Sequence, residues 1–292
     1  MMANYNRGHF IVEAIGSVLR QTFTDFELIV VDDASTDDSL AIVSKVAKTD
    51  ARIKILTNET NSGVSFALNR AMKVASGQYL CFIDSDDLFR PERLEKMVGA
   101  LKGRPGYIAY TDVFRIDEDG EVIKGSYLGS KRSPPDGEAY SYLLREWIWG
   151  LSTMMFPASV IQEVGYFDES LSWGEDLDYV LRMTERYKVV LVREPLYGYR
   201  EHGSSMTSLT PIRSKGEAIC GILESNLKRN WNTLDEMTKY RTIRRIQNTA
   251  KESNIRRKYL IWWINPTFLR IAAKRFVKNL VRVNRAETSP GA

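Results

Sequence analysis

The sequence predicts an α/β fold, and three observations lead to it. Through the first hundred residues, short apolar runs rich in β-branched side chains alternate with amphipathic helical stretches. Aspartate clusters follow two of those runs, where the carboxyl ends of a parallel sheet form a ligand crevice. The 292 residues, 43% hydrophobic and 27% charged, carry enough apolar surface for one large core or two fused ones, which excludes a disordered chain.

The apolar runs Phe26 to Val31, Ile53 to Thr57 and Tyr79 to Ile83 read as strands. Helices are predicted near Phe10 to Arg20, Asp37 to Lys48, Val64 to Ala75 and Pro91 to Leu101, the last opened by a proline suited to a first turn. From Tyr107 the pattern changes. Tyr107 to Ile116 and Glu121 to Lys124 flank Asp117-Glu118-Asp119-Gly120, a hairpin signal. Lys131 to Gly137, with its Pro134-Pro135 pair, reads as a loop. A strand at Thr153 to Phe156, a helix Pro157 to Val164, a loop Gly165 to Gly174, a helix Asp176 to Arg186 and a strand Val189 to Val192 give a mixed second half. After Pro211 helical stretches dominate, broken at Pro266, and no internal repeat is visible.

The net charge of +4 hides an asymmetry: Pro211 onward holds 18 Lys+Arg against 6 Asp+Glu, and residues 1–210 hold 23 against 31. An acidic front and a basic back predict different partners, an anionic one for the tail. The longest apolar stretches, such as Leu260 to Ile264, fall far short of the ~20 residues of a spanning helix, so no segment is expected to cross a bilayer. The start, MMANYNRGHF, has no apolar core or cleavage site of a secretory signal. Two cysteines, Cys81 and Cys220, are too few for a disulfide framework, which predicts a reducing, cytoplasmic setting.

Three acidic clusters and one histidine are the candidates for chemistry. Asp84-Ser85-Asp86-Asp87 releases three carboxylates at a strand end, where a divalent cation would offset their repulsion and keep sites open for phosphate oxygens. The same spacing also suits capping and a turn. Asp32-Asp33-Ala34-Ser35-Thr36-Asp37 ends an earlier strand of the same sheet; an acid there can accept hydrogen bonds from a base or ribose, or Ser35 or Thr36 can cap the next helix. Ser172-Trp173-Gly174-Glu175-Asp176-Leu177-Asp178 sets carboxylates at a helix mouth beside an aromatic, fit for a general base next to a sugar ring, and equally favoured there by the helix dipole. His202, in Tyr199-Arg200-Glu201-His202-Gly203-Ser204-Ser205-Met206, could complete a metal shell begun by Asp86, although an isolated histidine is usually structural or exposed.

In this order the clusters resemble the inverting nucleotide-sugar glycosyltransferases of family 2, which have the GT-A fold. The matching pieces are Tyr5-Asn6-Arg7, Ser17 to Thr22, Glu27 to Asp38, Asn61-Ser62-Gly63, Ala75 to Tyr79, Phe82 to Asp87, Arg90-Pro91, Gly174-Glu175-Asp176 and Tyr199 to His202. The resemblance implies a GT-A nucleotide-binding sheet with a mixed second half and a basic helical C-terminal region. It casts Asp33 as the reader of the nucleobase, with Tyr5, Asn6 and Gly63 lining that pocket. Asp84, Ser85 and Asp86 become the D-x-D that binds the ribose and a divalent metal, Mn²⁺ or Mg²⁺, with Asp84, Asp86 and His202 as the metal set. Asp176 is cast as the catalytic base with Glu175 beside it, Trp173 borders the acceptor, and Arg200 belongs to a loop over the diphosphate.

The implied function is metal-dependent transfer of a sugar, with inversion, from a nucleotide donor, UDP expected, to a hydroxyl on a saccharide or glycolipid in polysaccharide or glycolipid biosynthesis. Residues 1–105 would bind the donor, 106–210 would bind the acceptor and carry catalysis, and 211–292 would form a basic helical region. Two departures stand out. Members begin with an apolar strand running into Pro-Thr-Tyr-Asn, so most of the first strand is expected to be missing here, and Leu68 stands where many members have arginine before Asn69. Arg270, Lys274, Lys278 and Arg282, backed by Phe268, Ile271, Phe276 and Leu280, predict an interfacial helix on anionic lipid, peripheral on the cytoplasmic face, or else a helix packed on the catalytic part. Nucleic acid is not expected as a partner. Within enzymes the alternative is a polyprenyl-phosphate sugar synthase, whose acceptor is already anionic and needs no base; outside them it is an inactive sugar-nucleotide-binding or membrane scaffold protein.

Overall fold

The computed structural model describes residues 1–129, 134–146, 150–255 and 258–259. Part of the predicted Lys131 to Gly137 loop, the Leu260 to Ile264 run, the Pro266 break and the basic helix at Thr267 to Arg285 lie outside the described residues. The chain divides into two compact units, one from Met1–Tyr140 and Ile148–Thr210, the other from Ser141–Trp147 and Pro211–Ala292.

The first unit opens with three parallel strands in the order β1 (Met2–Asn4), β2 (Leu28–Asp32) and β3 (Ile53–Thr57), joined by α1 (Gly8–Leu19) and α2 (Ser39–Ala47). All five residues of β2 are buried, as expected of a strand covered on both faces. β1 is short but sits centrally. Met2 pairs with Val30 and Asn4 with Asp32, while on its other side the Met1 amino group donates to the Cys81 carbonyl at 2.9 Å and Ile83 N–H donates to the Met1 carbonyl at 3.0 Å. Three residues of strand thus join the parallel sheet to β4 (Tyr79–Cys81), which follows α3 (Val64–Val74).

β5 (Leu88–Phe89) and α4 (Arg93–Leu101) lead into a second sheet, with β6 (Tyr107–Ile116), β7 (Val122–Lys124), β8 (Met154–Pro157) and β9 (Lys188–Arg200). Its order is β4-β8-β6-β9-β5, with β7 paired to β6; β6 and β9 are parallel and the other pairs antiparallel. α5 (Tyr140–Arg145) lies before β8, α6 (Ser159–Val164) and α7 (Glu175–Thr184) lie between β8 and β9, and the short α8 (Met206–Leu209) follows β9.

Strand β9 runs well beyond the predicted Val189 to Val192. Arg193, Glu194 and Pro195 break the apolar run, yet pairing resumes because the register shifts at Thr111/Asp112, which sets Pro195 opposite Asp112. A bulge is where a strand tolerates proline, and Thr111 Oγ1 donates to the Glu194 carbonyl across it. The extension carries Tyr197 and Arg200 inward. One core serves both sheets, drawing Ile11, Ile15, Val30, Ile83, Met97, Ala109, Met155 and Val190 from nearly every element.

In the second unit, α9 (Ile212–Arg229) packs on α10 (Glu236–Glu252) through buried Cys220, Leu223 and Leu227 on one helix and Ile243, Ile246 and Ala250 on the other. Asp235 caps α10, accepting from Thr238 N–H at 2.9 Å, and Arg245 donates to the Leu143 carbonyl at 2.7 Å. Among the described residues no helix is long and apolar enough to cross a membrane.

Candidate active site

The two aspartate clusters that end β2 and β4 both emerge at carboxyl ends of strands, as parallel-sheet geometry requires. At β2, buried Asp32 accepts from Asn4 Nδ2 at 2.8 Å, Ser35 N–H at 2.9 Å and Ser35 Oγ at 2.7 Å, so it is a structural acid. Asp33 closes the loop before α3: Oδ1 accepts from Asn58 Nδ2 at 2.6 Å and Ser62 N–H at 3.0 Å, and Oδ2 from Gly63 N–H at 2.8 Å. Gly63 holds φ +90, a conformation that glycine adopts without strain. Asn6, at φ +53, turns the chain after β1 while its Oδ1 accepts from Thr36 N–H at 2.7 Å and Asp37 N–H at 3.2 Å. Ser35 and Thr36 therefore lace this turn instead of capping a helix, and α2 starts later, at Ser39. Tyr5 beside them is exposed.

At the end of β4 the carboxylates are crowded and each has its own environment. Asp87 is buried; its oxygens accept from Tyr197 Oη at 2.5 Å and Arg200 N–H at 2.7 Å. Burial, with repulsion from Asp86 and Asp84, pushes its carboxyl well above the usual range. Asp84 Oδ2 accepts from Ser152 Oγ at 2.9 Å and Tyr197 Oη at 3.1 Å. Protein packed around it, repulsion from Asp86 and a smaller push from Asp176 raise Asp84 to about 6. Its side chain still meets solvent, which tempers the first of these causes. Ser85 is buried between them.

Asp86 behaves oppositely. Burial would raise it, but the hydrogen bond to His202 and the charge of Arg7 outweigh burial and hold the carboxyl below its ordinary value. His202 Nε2 lies 3.0 Å from Asp86 Oδ2, and its Nδ1 lies 2.8 Å from Ser204 Oγ. Among the described residues no three His, Cys, Asp or Glu side chains form a metal-holding group, and Asp84 does not join Asp86 and His202 in one. The two donors alone do fit a cation. Their 3.0 Å separation is that of adjacent ligands on an ion with bonds of about 2.1 Å. Ions of the Mg²⁺ type take one or two protein carboxylates and complete their shell with phosphate oxygens and water.

The third cluster opens α7. Gly174, at φ +82, makes the left-handed turn into the helix, and Trp173 just before it is half-buried. Burial, then repulsion from Asp176 and Asp84, raises Glu175 to about 7, and burial raises Asp176 to about 6. Asp176 Oδ1 accepts from Leu177 N–H at 2.7 Å, which leaves Oδ2 for a proton. Because Asp84 feels Asp176 and Glu175 feels Asp84, the strand-end cluster and the helix-mouth pair share one electrostatic environment.

Arg200, expected in a loop over the diphosphate, is instead the last residue of a strand and is spent on protein groups. It ends β9 with its guanidinium buried and engaged: Nε donates to the Asp86 carbonyl at 2.7 Å, Nη1 to the Glu118 carbonyl at 2.8 Å and Nη2 to Glu13 at 2.5 Å. Replacing it with methionine strands those acceptors, so Arg200→Met is expected to lower unfolding free energy by roughly 2 to 4 kcal/mol in urea titration.

Four contributors were given no role by the sequence reading, although Arg7 lay in a matching piece. Tyr197 bridges Asp84 and Asp87, Ser152 holds Asp84, and Arg7 meets Asp86. Arg93, fully buried, donates to the Ser152 carbonyl at 2.8 Å and lies 3.9 Å from the Phe89 ring centroid, bracing the floor.

Residues 1–158 match the family described as Glycosyl transferase family 2. An uncharacterized glycosyltransferase of Rickettsia bellii is 30% identical over 207 residues, 71% of this chain and 29% of that protein. This chain spans about a third of the length of three such Rickettsia relatives. S. aureus TarS in complex with UDP-GlcNAc shares the fold at a TM-score of 0.66 and 22% identity, over 86% of this chain and 71% of that one. A mannosyltransferase from Pyrobaculum calidifontis, in complex with GDP-Man and Mn²⁺, aligns at a TM-score of 0.57 and 14% identity, over 99% of this chain and 86% of that one. The chain thus has a GT-A nucleotide-binding fold and belongs to glycosyltransferase family 2.

Proposed function

We propose that this chain transfers a sugar, with inversion, from a nucleotide donor of the UDP type to a hydroxyl of a saccharide or glycolipid, with a divalent metal, in polysaccharide or glycolipid biosynthesis. One observation carries the reading: a raised, half-buried acid pair, Glu175 and Asp176, in electrostatic contact with Asp84 beside the Asp86–His202 donors. The UDP-sugar and the GDP-sugar with Mn²⁺ bound by the two structural neighbours support the donor and metal classes. Residues 1–105 then bind the donor, 106–210 bind the acceptor and carry catalysis, and 211–292 are the basic region.

Asp86 and His202 would hold the cation, which when bound neutralises charge growing on the diphosphate. Asp176 takes the acceptor proton on Oδ2 while the acceptor oxygen attacks the anomeric carbon from the face opposite the leaving group. Glu175 orients the acceptor, and Trp173 offers it an apolar face. A lipid-phosphate acceptor needs no base, so the tuned pair favours a hydroxyl over the polyprenyl-phosphate reading. Incubating the full chain with UDP-sugars, Mn²⁺ and a panel of saccharide and glycolipid acceptors tests the proposal: transfer giving the inverted anomer in proton NMR supports it, and nucleotide-sugar binding without turnover on any acceptor refutes it.

The base must be ionised to act. Because burial raises Asp176 to about 6 and Glu175 to about 7, activity is expected to fall as pH drops through that window, and a pH–rate profile reads its acid limb. A limb at the ordinary carboxylate value near 4 would contradict the assignment.

For the basic region we propose contact with an anionic membrane surface. Deleting residues 266–292 is expected to release the protein from anionic vesicles, since each Lys or Arg near such a surface contributes about 1 kcal/mol. Equal co-sedimentation of both forms would assign the region to packing.

A further inference from the structure

Arg7, in the turn between β1 and α1, has no part in the reaction above, yet it is the cation that meets Asp86. Its Nε donates to Asp86 Oδ2 at 3.0 Å, Nη1 to the Asn6 carbonyl at 3.1 Å and Nη2 to the Ser204 carbonyl at 3.0 Å. Its backbone N–H donates to Ser39 Oγ at 3.0 Å. The same Asp86 Oδ2 faces His202 Nε2 at 3.0 Å. One carboxylate oxygen facing two nitrogens has both lone pairs taken.

A divalent ion bound to Asp86 and His202 would take the lone pair that now faces His202 Nε2 and bring its charge next to the guanidinium on the other. The two cations repel each other across this oxygen. Arginine cannot relieve the conflict by losing its proton, so it weakens the ion's hold or moves away. Its side chain is 19% exposed and its two other side-chain bonds go to backbone carbonyls, so no other carboxylate holds it in place.

We propose that Arg7 is a resident cation of this site, holding Asp86 and His202 in ligand geometry and competing with the divalent ion for Asp86 Oδ2. Free metal then binds weakly. It binds well only together with a diphosphate, whose oxygens add ligands and give the displaced guanidinium a bidentate anionic partner. The inference rests on the reading of Asp86 and His202 as the metal pair.

The test is Mn²⁺ binding to the full chain without nucleotide, followed by the electron paramagnetic resonance signal of free Mn²⁺. Arg7→Gln is expected to tighten binding about tenfold or more, because a unit charge removed some 4 Å from a dication is worth that even at a high effective dielectric. Arg7→Lys keeps the charge and should stay near the wild type. Added UDP should narrow the gap between Arg7→Gln and wild type. If Arg7→Gln, folded by circular dichroism, binds Mn²⁺ no more tightly than the wild type, Arg7 is not a competitor. If Asp86→Ala placed in the Arg7→Gln chain leaves Mn²⁺ affinity unchanged, the metal pair itself has failed.

Discussion

Asp176→Asn is expected to cut sugar transfer by roughly 100-fold or more while leaving donor affinity unchanged, the scale on which a positioned general base contributes. The amide keeps the side-chain shape, and its oxygen can still accept from Leu177 N–H, now at 2.7 Å, so α7 keeps its start. It cannot take a proton. The substitution also removes the repulsion that helps to raise Glu175, so the acid limb of any residual activity should move to lower pH. Glu175→Gln, made in parallel, should reduce transfer less if, as proposed, Glu175 orients the acceptor and Asp176 takes its proton. Single-turnover transfer with saturating donor reads the chemical step; a wild-type rate in the Asp176 variant would place the base elsewhere.

The N-terminal half of the fold was legible because apolar, β-branched strands alternate there with amphipathic helices. Ile53 to Thr57 matches β3, and the helix predicted at Val64 to Ala75 ends within a residue of α3. The expectation of a missing first strand meets a β1 of three residues, central between β2 and β4. What escaped was short or interrupted. β5 has two residues, too few for any periodicity, and α5 is brief and followed no cap signal. β9 looked four residues long because Arg193-Glu194-Pro195 imitates a loop, and only the bulge opposite Asp112, a tertiary fact, lets the strand go on.

The same distinction runs through the site. Residue type and position at a strand end or helix mouth drew the reading to Asp33, Asp84, Asp86 and Glu175–Asp176. Spacing could not say which acid would be spent on structure. Asp33 holds the Asn58–Gly63 loop with both oxygens, Asp32 is filled by Asn4 and Ser35, and Asp87, named only as a neighbour, is locked by Tyr197 and Arg200. Arg200 resembled a ligand of the diphosphate because the motif lies next to His202. β9 ends at Arg200, so His202 belongs to the loop beyond it, while Arg200 turns into the protein. Tyr197 and Ser152 lie far from the aspartates in sequence, so only the folded sheet could bring them to Asp84.

Asp86→Ala is expected to abolish the metal-dependent part of donor affinity and to lower transfer by roughly 1,000-fold or more, since stabilising the charge on a departing diphosphate is worth several kcal/mol. The effect has a local cause beyond a lost ligand. Asp86 is the one acid of its cluster held below its ordinary value, so it is the carboxylate that stays ionised when Asp84 and Asp87 take up protons. Without it, His202 Nε2 and Arg7 Nε lose their shared acceptor, and the repulsion that raises Asp84 and Asp87 disappears. Asp84 should then titrate closer to an ordinary aspartate, which carbon-detected NMR of its carboxyl would register. Calorimetric titration of UDP with and without Mn²⁺ decides the role: the wild type should gain affinity from the metal and the variant should not. An equal gain in both would remove Asp86 from metal binding, whatever happened to the rate.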